Sequence, residues 1–363
     1  MKKLFFIAAI ASVALVSCTK NEVAPSAQQD EITFLAPVVG AQTKVNGLIG
    51  ATYNKGESFD VWCVHNTSDI SVWDGTVYFS DTKATWNSGL GGWALEKKYY
   101  WPATGKLSFV AMSPSIANTT TYDKTNGFSI TTAWSQGADE NTIVDLMYSE
   151  PAFNKAKADY TGYEETTGDK NSYKGVDITF KHALSYITFK VKTAAEYATT
   201  DFRLKSITLS GVYTTGTFIQ KHATDPWTES TSNVGEYVAF DYSRVIPGSD
   251  PATTFGELVF DNDPAVTVPE TSGKEIILLP QALTAGKQKI TVNYEISTDG
   301  KAIDAADKVW IPQTQFADLK NSLVDEWEMG KKYVYTLSIG MQEIIFDPAV
   351  TNWDPKGGGA ISF

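Results

Sequence analysis

The chain of 363 residues carries a formal net charge of −12 and only two arginines, and its basic residues form no cluster. These features exclude the positively charged surface that nucleic-acid binding requires. Aromatic residues make up 12% of the sequence and are accompanied by many Thr, Ser and Gly residues, which is typical of a secreted all-β protein.

The first predicted element is an export signal. Lys2 and Lys3 precede the apolar run Leu4–Val16, which is shorter than the roughly 20 residues of a membrane-spanning helix. The run ends in Leu15-Val16-Ser17-Cys18, which resembles the lipobox of bacterial lipoproteins, where the chain is cut before the cysteine and the thiol carries diacylglycerol. We therefore predict a signal peptide over 1–17, lipidation at Cys18 and a polar, flexible tether over 18–30. The alternative is an ordinary secretory signal with a chance cysteine.

A lipidated Cys18 leaves Cys63, the other cysteine, without an intramolecular partner. Cys63 lies in an apolar strand pattern and is predicted to be a small core residue. Stability is therefore not expected to come from disulfides.

The segment Glu31–Val39 is the first predicted strand, with Ile32 and Phe34 on one face and Leu35 and Val38 in the other phase. A polar loop containing Lys44 follows. Further short strands separated by turn signals are typical of a sandwich or barrel and are predicted at Ser58–Val64, Thr76–Phe79, Trp93–Tyr100, Lys106–Met112, Gly127–Thr132 and Ile143–Tyr148.

The polar stretch Lys155–Gly175 interrupts this rhythm, so we predict two domains, over 31–170 and 171–363. The second opens with Val176–Val191, whose alternation changes phase near His182–Ile187. More strands are predicted at Lys205–Leu209, Gly235–Phe240, Glu257–Phe260, Glu275–Leu279 and Lys289–Ile296. A single short helix is predicted at Ala317–Glu326.

The last long strand is predicted at Tyr333–Phe346, with a bulge or bend at Gly340 where the apolar phase slips. Beyond it, only Ala360–Phe363 has a strand-like pattern, because Pro355 and three glycines interrupt the tail.

No constellation of residues predicts catalysis, and neither a metal nor a cofactor is expected. The three histidines His65, His182 and His222 lack metal-ligand spacing, and Ser185 lacks a nucleophile elbow. The first half contains tryptophans that would form a sugar-binding platform if exposed, although core packing is the interpretation we favour: Trp62, Trp73, Trp86, Trp93, Trp101 and Trp134.

Several stretches resemble, in this order, the fimbrillin-like (Mfa-like, or type V) pilins of Bacteroidetes. They cover nearly all of the chain after the signal and are Glu31–Phe34, Gly56–Phe59, Trp101–Phe109, Asp145–Ser149, Phe180–Ser185, Leu278–Gln281 and Trp327–Leu337.

This resemblance implies two transthyretin-like Greek-key β-sandwich domains in tandem and a structural subunit of a cell-surface fimbria that supports adhesion. It implies export to the outer membrane as a lipoprotein and cleavage, in the loop after the first strand, by a trypsin-like protease. The groove of the removed strand then accepts a donor strand from another subunit, commonly a C-terminal segment. Carried over to this chain, the cleavage falls at Lys44 and the displaced strand contains Ile32, Phe34, Leu35 and Val38.

Two departures keep other roles open. The family's stalk subunits usually present arginine in the cleaved loop, where this chain has Lys44, and the tail is a poor donor unless Tyr333–Phe346 takes part. A pilus tip or anchor subunit, or a non-polymerising lipoprotein that binds glycans, are the alternatives. The expected partners are pilin subunits in a homo- or hetero-polymer, the protease and a host or bacterial surface ligand. The membrane is contacted through the lipid alone.

Overall fold

The computed structural model describes residues 31–35, 37–39, 48–49, 52–53, 55–137, 143–160, 175–193, 199–220, 226–240, 244–246, 276–339 and 344–352. The described part of the first half forms strands and one four-residue helix, α1 at Lys157–Tyr160. These strands are β1 (Thr33–Phe34), β2 (Val38–Val39), β3 (Leu48–Ile49), β4 (Thr52–Tyr53), β5 (Ser58–Asn66), β6 (Thr76–Asn87), β7 (Gly92–Leu95), β8 (Lys106–Ser113), β9 (Thr119–Asp123), β10 (Gly127–Ser135), β11 (Met147–Ser149), β12 (Ala152–Lys155) and β13 (Thr179–His182).

The described part of the second half consists of strands and their connections. The strands are β14 (Ser185–Thr193), β15 (Asp201–Tyr213), β16 (Thr215–Gln220), β17 (Trp227–Glu229), β18 (Val234–Phe240), β19 (Arg244–Ile246), β20 (Ile276–Leu278), β21 (Gln281–Ala282), β22 (Lys289–Ser297), β23 (Ile311–Asp318), β24 (Glu326–Trp327), β25 (Lys331–Ile339) and β26 (Ile344–Asn352). The predicted all-β class is therefore confirmed.

The first sheet has the order β1-β7-β6-β5-β8-β11-β13-β2-β4-β3, with β12 also paired to β8. Its two ends meet, because β1 lies at one end while β2, the next piece of the same segment, pairs with β13 near the other. A parallel bridge between Phe34 and Val176 joins them. The sheet encloses an aromatic core that includes Phe34, Phe59 and Phe109.

The described part of the second half contains a four-stranded and a five-stranded sheet that face each other across a core of buried aliphatic and aromatic residues. Their orders are β20-β14-β25-β26 and β18-β15-β22-β23, the latter with β19 beside β15. A further sheet, β17-β16-β10-β9, combines strands from both halves and packs on the back of the first sheet over a third core. The strands β21 and β24 form a separate pair.

The chain passes from the first sheet to another between β13 and β14, where the sequence predicted a change of phase. Strand β13 pairs with β11 and β2, whereas β14 pairs with β20 and β25. The strand after the polar stretch thus lies in the first sheet, and the transition follows His182. The division at residues 170 and 171 stays a prediction.

The predicted helix at Ala317–Glu326 is wrong. Ala317 and Asp318 complete β23, which pairs with β22 over its whole length. The residues that follow turn sharply, because the Asn321 side-chain oxygen accepts hydrogen bonds from the backbone N–H groups of Leu323 and Val324. A turn of this kind, an Asx turn closed by an Asn or Asp side chain, competes directly with helix formation.

The predicted single strand Tyr333–Phe346 is also wrong. The chain forms two antiparallel strands, β25 and β26, whose register pairs Ile339 with Ile344. Strand β26 continues to Asn352, so the tail is strand-like well before Ala360. Pro348 is tolerated because β26 is an edge strand, where an N–H group is not needed on the open side.

Candidate functional site

The segment Glu31–Val39, here called the first-strand segment, is bound to both ends of the first sheet. On one side, Thr33 and Phe34 pair with Ala94 and Trp93 of β7, and the Ile32 N–H donates to the Tyr99 carbonyl at 2.8 Å. On the other side, the Leu35 N–H donates to the Val176 carbonyl at 3.1 Å. The segment therefore fills a slot with a backbone partner on each side, which we call the first-strand groove.

The second piece of the segment continues this arrangement. Val38 and Val39 in β2 run parallel to Thr179 and Phe180 of β13. The sequence predicted one continuous strand here, whereas the structure has two short pieces that pair with different neighbours. The difference arises because partner strands distant in sequence decide the pairing.

Three apolar side chains of the segment lie in the core of the first sheet, those of Ile32, Phe34 and Val39. Ile32 and Phe34 are fully buried, as their alternation predicts, and Leu35 is half-buried. The Phe34 ring meets the rings of Phe59 and Phe109 edge-to-face at centroid distances of 5.8 and 5.7 Å. Val38 contributes backbone pairing, while the buried side chain of Val39 was missed by the sequence analysis.

Gly175 makes the close approach of the segment possible. A Cβ atom at residue 175 would lie 2.5 Å from both the Leu35 amide nitrogen and the Phe34 carbonyl carbon. These distances are shorter than van der Waals contact permits, and the contacting atoms belong to the backbone. A glycine is therefore required at the wall of the groove, a role that no sequence pattern indicated.

An ion pair ties down the start of the segment. The Glu31 carboxylate accepts a hydrogen bond from the Lys98 ammonium at 2.8 Å, and its side chain is only 6% exposed. This hydrogen bond and the accompanying charge attraction raise the pKa of Lys98. Because a buried carboxylate is costly without a partner, Lys98 compensates the burial of Glu31.

Tyr53 in β4 closes the adjacent part of the core. Its ring stacks on Phe180 at 5.8 Å, and its hydroxyl lies 2.6 Å from the Ser113 Oγ atom. Burial raises the pKa of this hydroxyl well above its usual range. Tyr53 is therefore fixed in the core through its own ring and hydroxyl, while its neighbour Thr52 pairs with Val38 of the first-strand segment.

The two predicted modification sites, Cys18 and Lys44, lie outside the described residues, as do the signal peptide over 1–17 and the tether over 18–30. Lipidation at Cys18 and cleavage at Lys44 stay predictions. Within the described ranges, the free cysteine Cys63 is buried, and its burial raises the pKa of the thiol.

The histidine and serine side chains that were weighed as catalytic or metal-binding groups contact other protein groups in the described structure. The His182 ring nitrogen Nδ1 lies 2.6 Å from an Asp145 carboxylate oxygen in the interior, and Ser185 donates to the Glu328 carbonyl. His65 lies 2.8 Å from the Thr104 carbonyl. His222 lies outside the described residues. Among those that are described, no cluster of three or more His, Cys, Asp or Glu side chains could hold a metal ion.

The tryptophans of the first half do not form an exposed platform in the described part of the chain. Trp86 is half-buried, and the others are buried in the cores: Trp62, Trp73, Trp93, Trp101 and Trp134. The described residues include no helix with the length and apolar character that crossing a bilayer requires.

Comparison with known proteins identifies the family. The profile of the fimbrillin-like family matches residues 43–353, which is most of the chain. The chain belongs to the fimbrillin-like family. The match begins after the first-strand segment and includes the loop with Lys44. No curated protein matches the sequence.

Solved structures of fimbrial and adhesion proteins share the fold. A fimbrial protein from Bacteroides vulgatus is 17% identical, with a TM-score of 0.51, over 88% of this chain and 99% of that one. A proposed cell adhesion protein from Bacteroides uniformis is 16% identical, with a TM-score of 0.50, over 89% and 99%. These similarities show a common β-sandwich architecture for this fimbrillin-like chain.

Proposed function

We propose that this fimbrillin-like protein is a cell-surface fimbrial subunit that assembles by exchanging its first-strand segment for a strand of another copy. The observation that carries the proposal is the position of Glu31–Val39, which joins the two ends of the first sheet. Removing it would expose the unpaired backbone groups of both β7 and β13, together with the core between them. Unpaired strand edges beside an apolar slot bind an extended peptide.

The segment is bound strongly enough to remain until it is replaced. Burial of the Ile32, Phe34 and Val39 side chains contributes about 1.5–3 kcal/mol each, or about 5–9 kcal/mol together as an upper value. After cleavage in the following loop, these contacts are non-covalent. A competing strand that fills the same positions could then displace the segment at little net cost.

The C-terminal strand of the chain has the sequence to do this. Glu343-Ile344-Ile345-Phe346 repeats Glu31-Ile32-Thr33-Phe34, and with the same offset Val350 corresponds to Val38. Four of eight positions are thus identical, including Ile32 and Phe34, whereas the third buried apolar residue of the segment, Val39, corresponds to Thr351. Ile344 therefore takes the place of Ile32 and Phe346 that of Phe34 when β26 of a second copy enters the groove.

The position of β26 favours its release from its own subunit. It pairs with β25 alone and forms the edge of its sheet, so leaving breaks one ladder of hydrogen bonds. Val350 is half-buried against the core and Ala349 is exposed. An edge strand held on one side is exchanged for a groove that offers backbone partners on two sides.

In this scheme, strand exchange begins after proteolytic processing of the precursor. We propose that Cys18 carries the lipid that brings the precursor to the outer membrane, and that a trypsin-like protease cuts after Lys44. Lys44 follows the first-strand segment, whereas Tyr53 is anchored in the core beyond it. Cleavage in the loop therefore leaves the segment held by non-covalent contacts alone, while the Tyr53 ring and hydroxyl still hold β4 in the core.

The test compares intact and trypsin-treated soluble protein by size-exclusion chromatography. The cut protein should polymerise and release the N-terminal fragment, whereas Lys44→Ala should resist the first cut and stay monomeric. Lys55→Ala is the matched control, because Lys55 lies exposed in the next turn with its ammonium over the Trp86 ring. Equal polymerisation of the intact precursor would contradict the mechanism. A loop that resists trypsin in the folded protein would favour a tip or anchor subunit that retains its first strand.

A further inference from the structure

The ion pair at the start of the first-strand segment is asymmetric. The Glu31 side chain is 6% exposed, whereas that of Lys98 is 66% exposed. Lys98 stays hydrated when no carboxylate is present, but a carboxylate at the position of Glu31 needs Lys98. The Tyr100 hydroxyl is the other titratable group that acts on the Lys98 ammonium. The preference for a negative charge at this position therefore comes from Lys98.

Both strands that could occupy the groove carry this charge at the same place. Glu31 directly precedes Ile32, and Glu343 directly precedes Ile344. Glu343 itself lies outside the described residues, so the correspondence rests on the sequence. When Ile344 and Phe346 of a second copy enter the core positions, Glu343 reaches the place of Glu31.

We propose that Lys98 is a specificity-determining residue of the first-strand groove, which selects strands with a carboxylate directly before their first core residue. The inference rests on the proposed strand exchange. A neutral residue in that place loses a charge-assisted hydrogen bond, and a cationic residue would be buried beside a like charge.

Lys98 also fixes the register of the incoming strand. Side chains alternate between the two faces of a strand, so a slip by one residue turns Ile and Phe away from the core. A slip by two residues restores the alternation but moves the carboxylate away from Lys98. The apolar positions and the ion pair together therefore specify one register.

The experiment measures displacement of the first-strand segment by synthetic peptides of residues 343–352. The full chain carries an inserted specific protease site within residues 42–47, so that cleavage does not depend on Lys44. The peptides are the natural sequence, Glu343→Gln and Glu343→Lys. The natural peptide should bind about tenfold more tightly than Glu343→Gln, since the loss of one charge-assisted hydrogen bond is worth about that factor. Glu343→Lys should bind more weakly still.

Lys98→Glu should reverse this order, so that Glu343→Lys becomes the best peptide. Lys97→Glu is the matched control and should keep the natural order, because the Lys97 ammonium lies over the Tyr99 ring instead of beside Glu31. In the Lys98→Glu variant, two like charges face each other at position 31. The double variant Glu31→Lys/Lys98→Glu has the same altered groove, and its ion pair is restored with the charges exchanged.

Two outcomes distinguish the inference from the function on which it rests. Equal binding of all three peptides to both grooves would overturn the selection by Lys98 and leave strand exchange intact. Failure of every peptide to displace the segment would overturn both strand exchange and the selection.

Discussion

Replacing Gly175 with alanine should loosen the first-strand segment without touching any of its side chains. The new Cβ atom would lie 2.5 Å from backbone atoms of Phe34 and Leu35, which cannot rotate away as a side chain would. Keeping the pairing then stores about 1–3 kcal/mol of strain. Breaking it loses the two hydrogen bonds that link Val176 with Thr33 and Leu35, at about 1 kcal/mol each.

Both routes make local opening easier by about 2 kcal/mol, which is a factor of roughly 30 in the population of the opened state. Amide hydrogen exchange measures this population directly. The N–H groups of Ile32, Leu35 and Val176 should exchange about 30-fold faster in Gly175→Ala, and the loop after the segment should be cut faster by trypsin.

The matched control is Gly89→Ala. Its added Cβ atom meets a single neighbouring atom, the Asn87 side-chain oxygen, at 3.2 Å. Exchange at Ile32, Leu35 and Val176 should stay as in the wild type. Unchanged exchange of these three amides in Gly175→Ala would refute the close-packed groove.

Three further predictions concern stability and processing. Phe34→Ala should destabilise the intact chain by about 3–5 kcal/mol in chemical unfolding, whereas Phe316→Ala, at a side chain that is 69% exposed, should change it by less than about 0.5 kcal/mol. Equal effects would contradict the burial of Phe34. Labelled palmitate should enter the wild type but not Cys18→Ala, and equal labelling would exclude lipidation there. Burial raises the pKa of Asp60 from 3.8 to about 6, so the native chain holds a proton that the unfolded chain loses. Stability from this group should therefore fall as the pH rises from about 4 to about 6, and Asp60→Asn should remove that slope; an unchanged slope would show that another group causes it.

The alternation of apolar residues predicted the buried faces of several strands correctly. Ile32 and Phe34 are in the core as predicted, and β22 alternates as the pattern of Ile290, Val292, Tyr294 and Ile296 indicates. Side chains alternate between the two faces of a strand, so the spacing of apolar residues in the sequence indicates a half-buried strand directly.

The errors arose where contacts distant in sequence decide the structure. The helix predicted at Ala317–Glu326 begins inside β23, because pairing with β22 outweighs the local preference of Ala317. Tyr333–Phe346 reads as one bent strand, but its two parts pair with each other on either side of Gly340. Pairing of this kind is specified by tertiary packing, so local pattern alone does not determine it.

The groove could be predicted only in part. The apolar residues of Glu31–Val39 marked a buried strand, but nothing in the sequence placed it between β7 and Val176. Gly175 lies at the end of a polar stretch and gives no sign of a backbone contact, and Lys98 is one lysine among several. Both acquire their roles from neighbours that the fold brings within contact distance.

The most direct test of strand exchange is to locate Phe346 in the assembled protein. A photo-crosslinking phenylalanine analogue at position 346 is introduced into one isotopically labelled copy, which is cut and mixed with cut, unlabelled protein before irradiation. Strand exchange predicts crosslinks between labelled peptides containing residue 346 and unlabelled peptides containing Phe59 or Phe109, whose rings contact Phe34 in the precursor. Crosslinks confined to β25 of the same labelled chain, with polymers present, would contradict the proposed exchange.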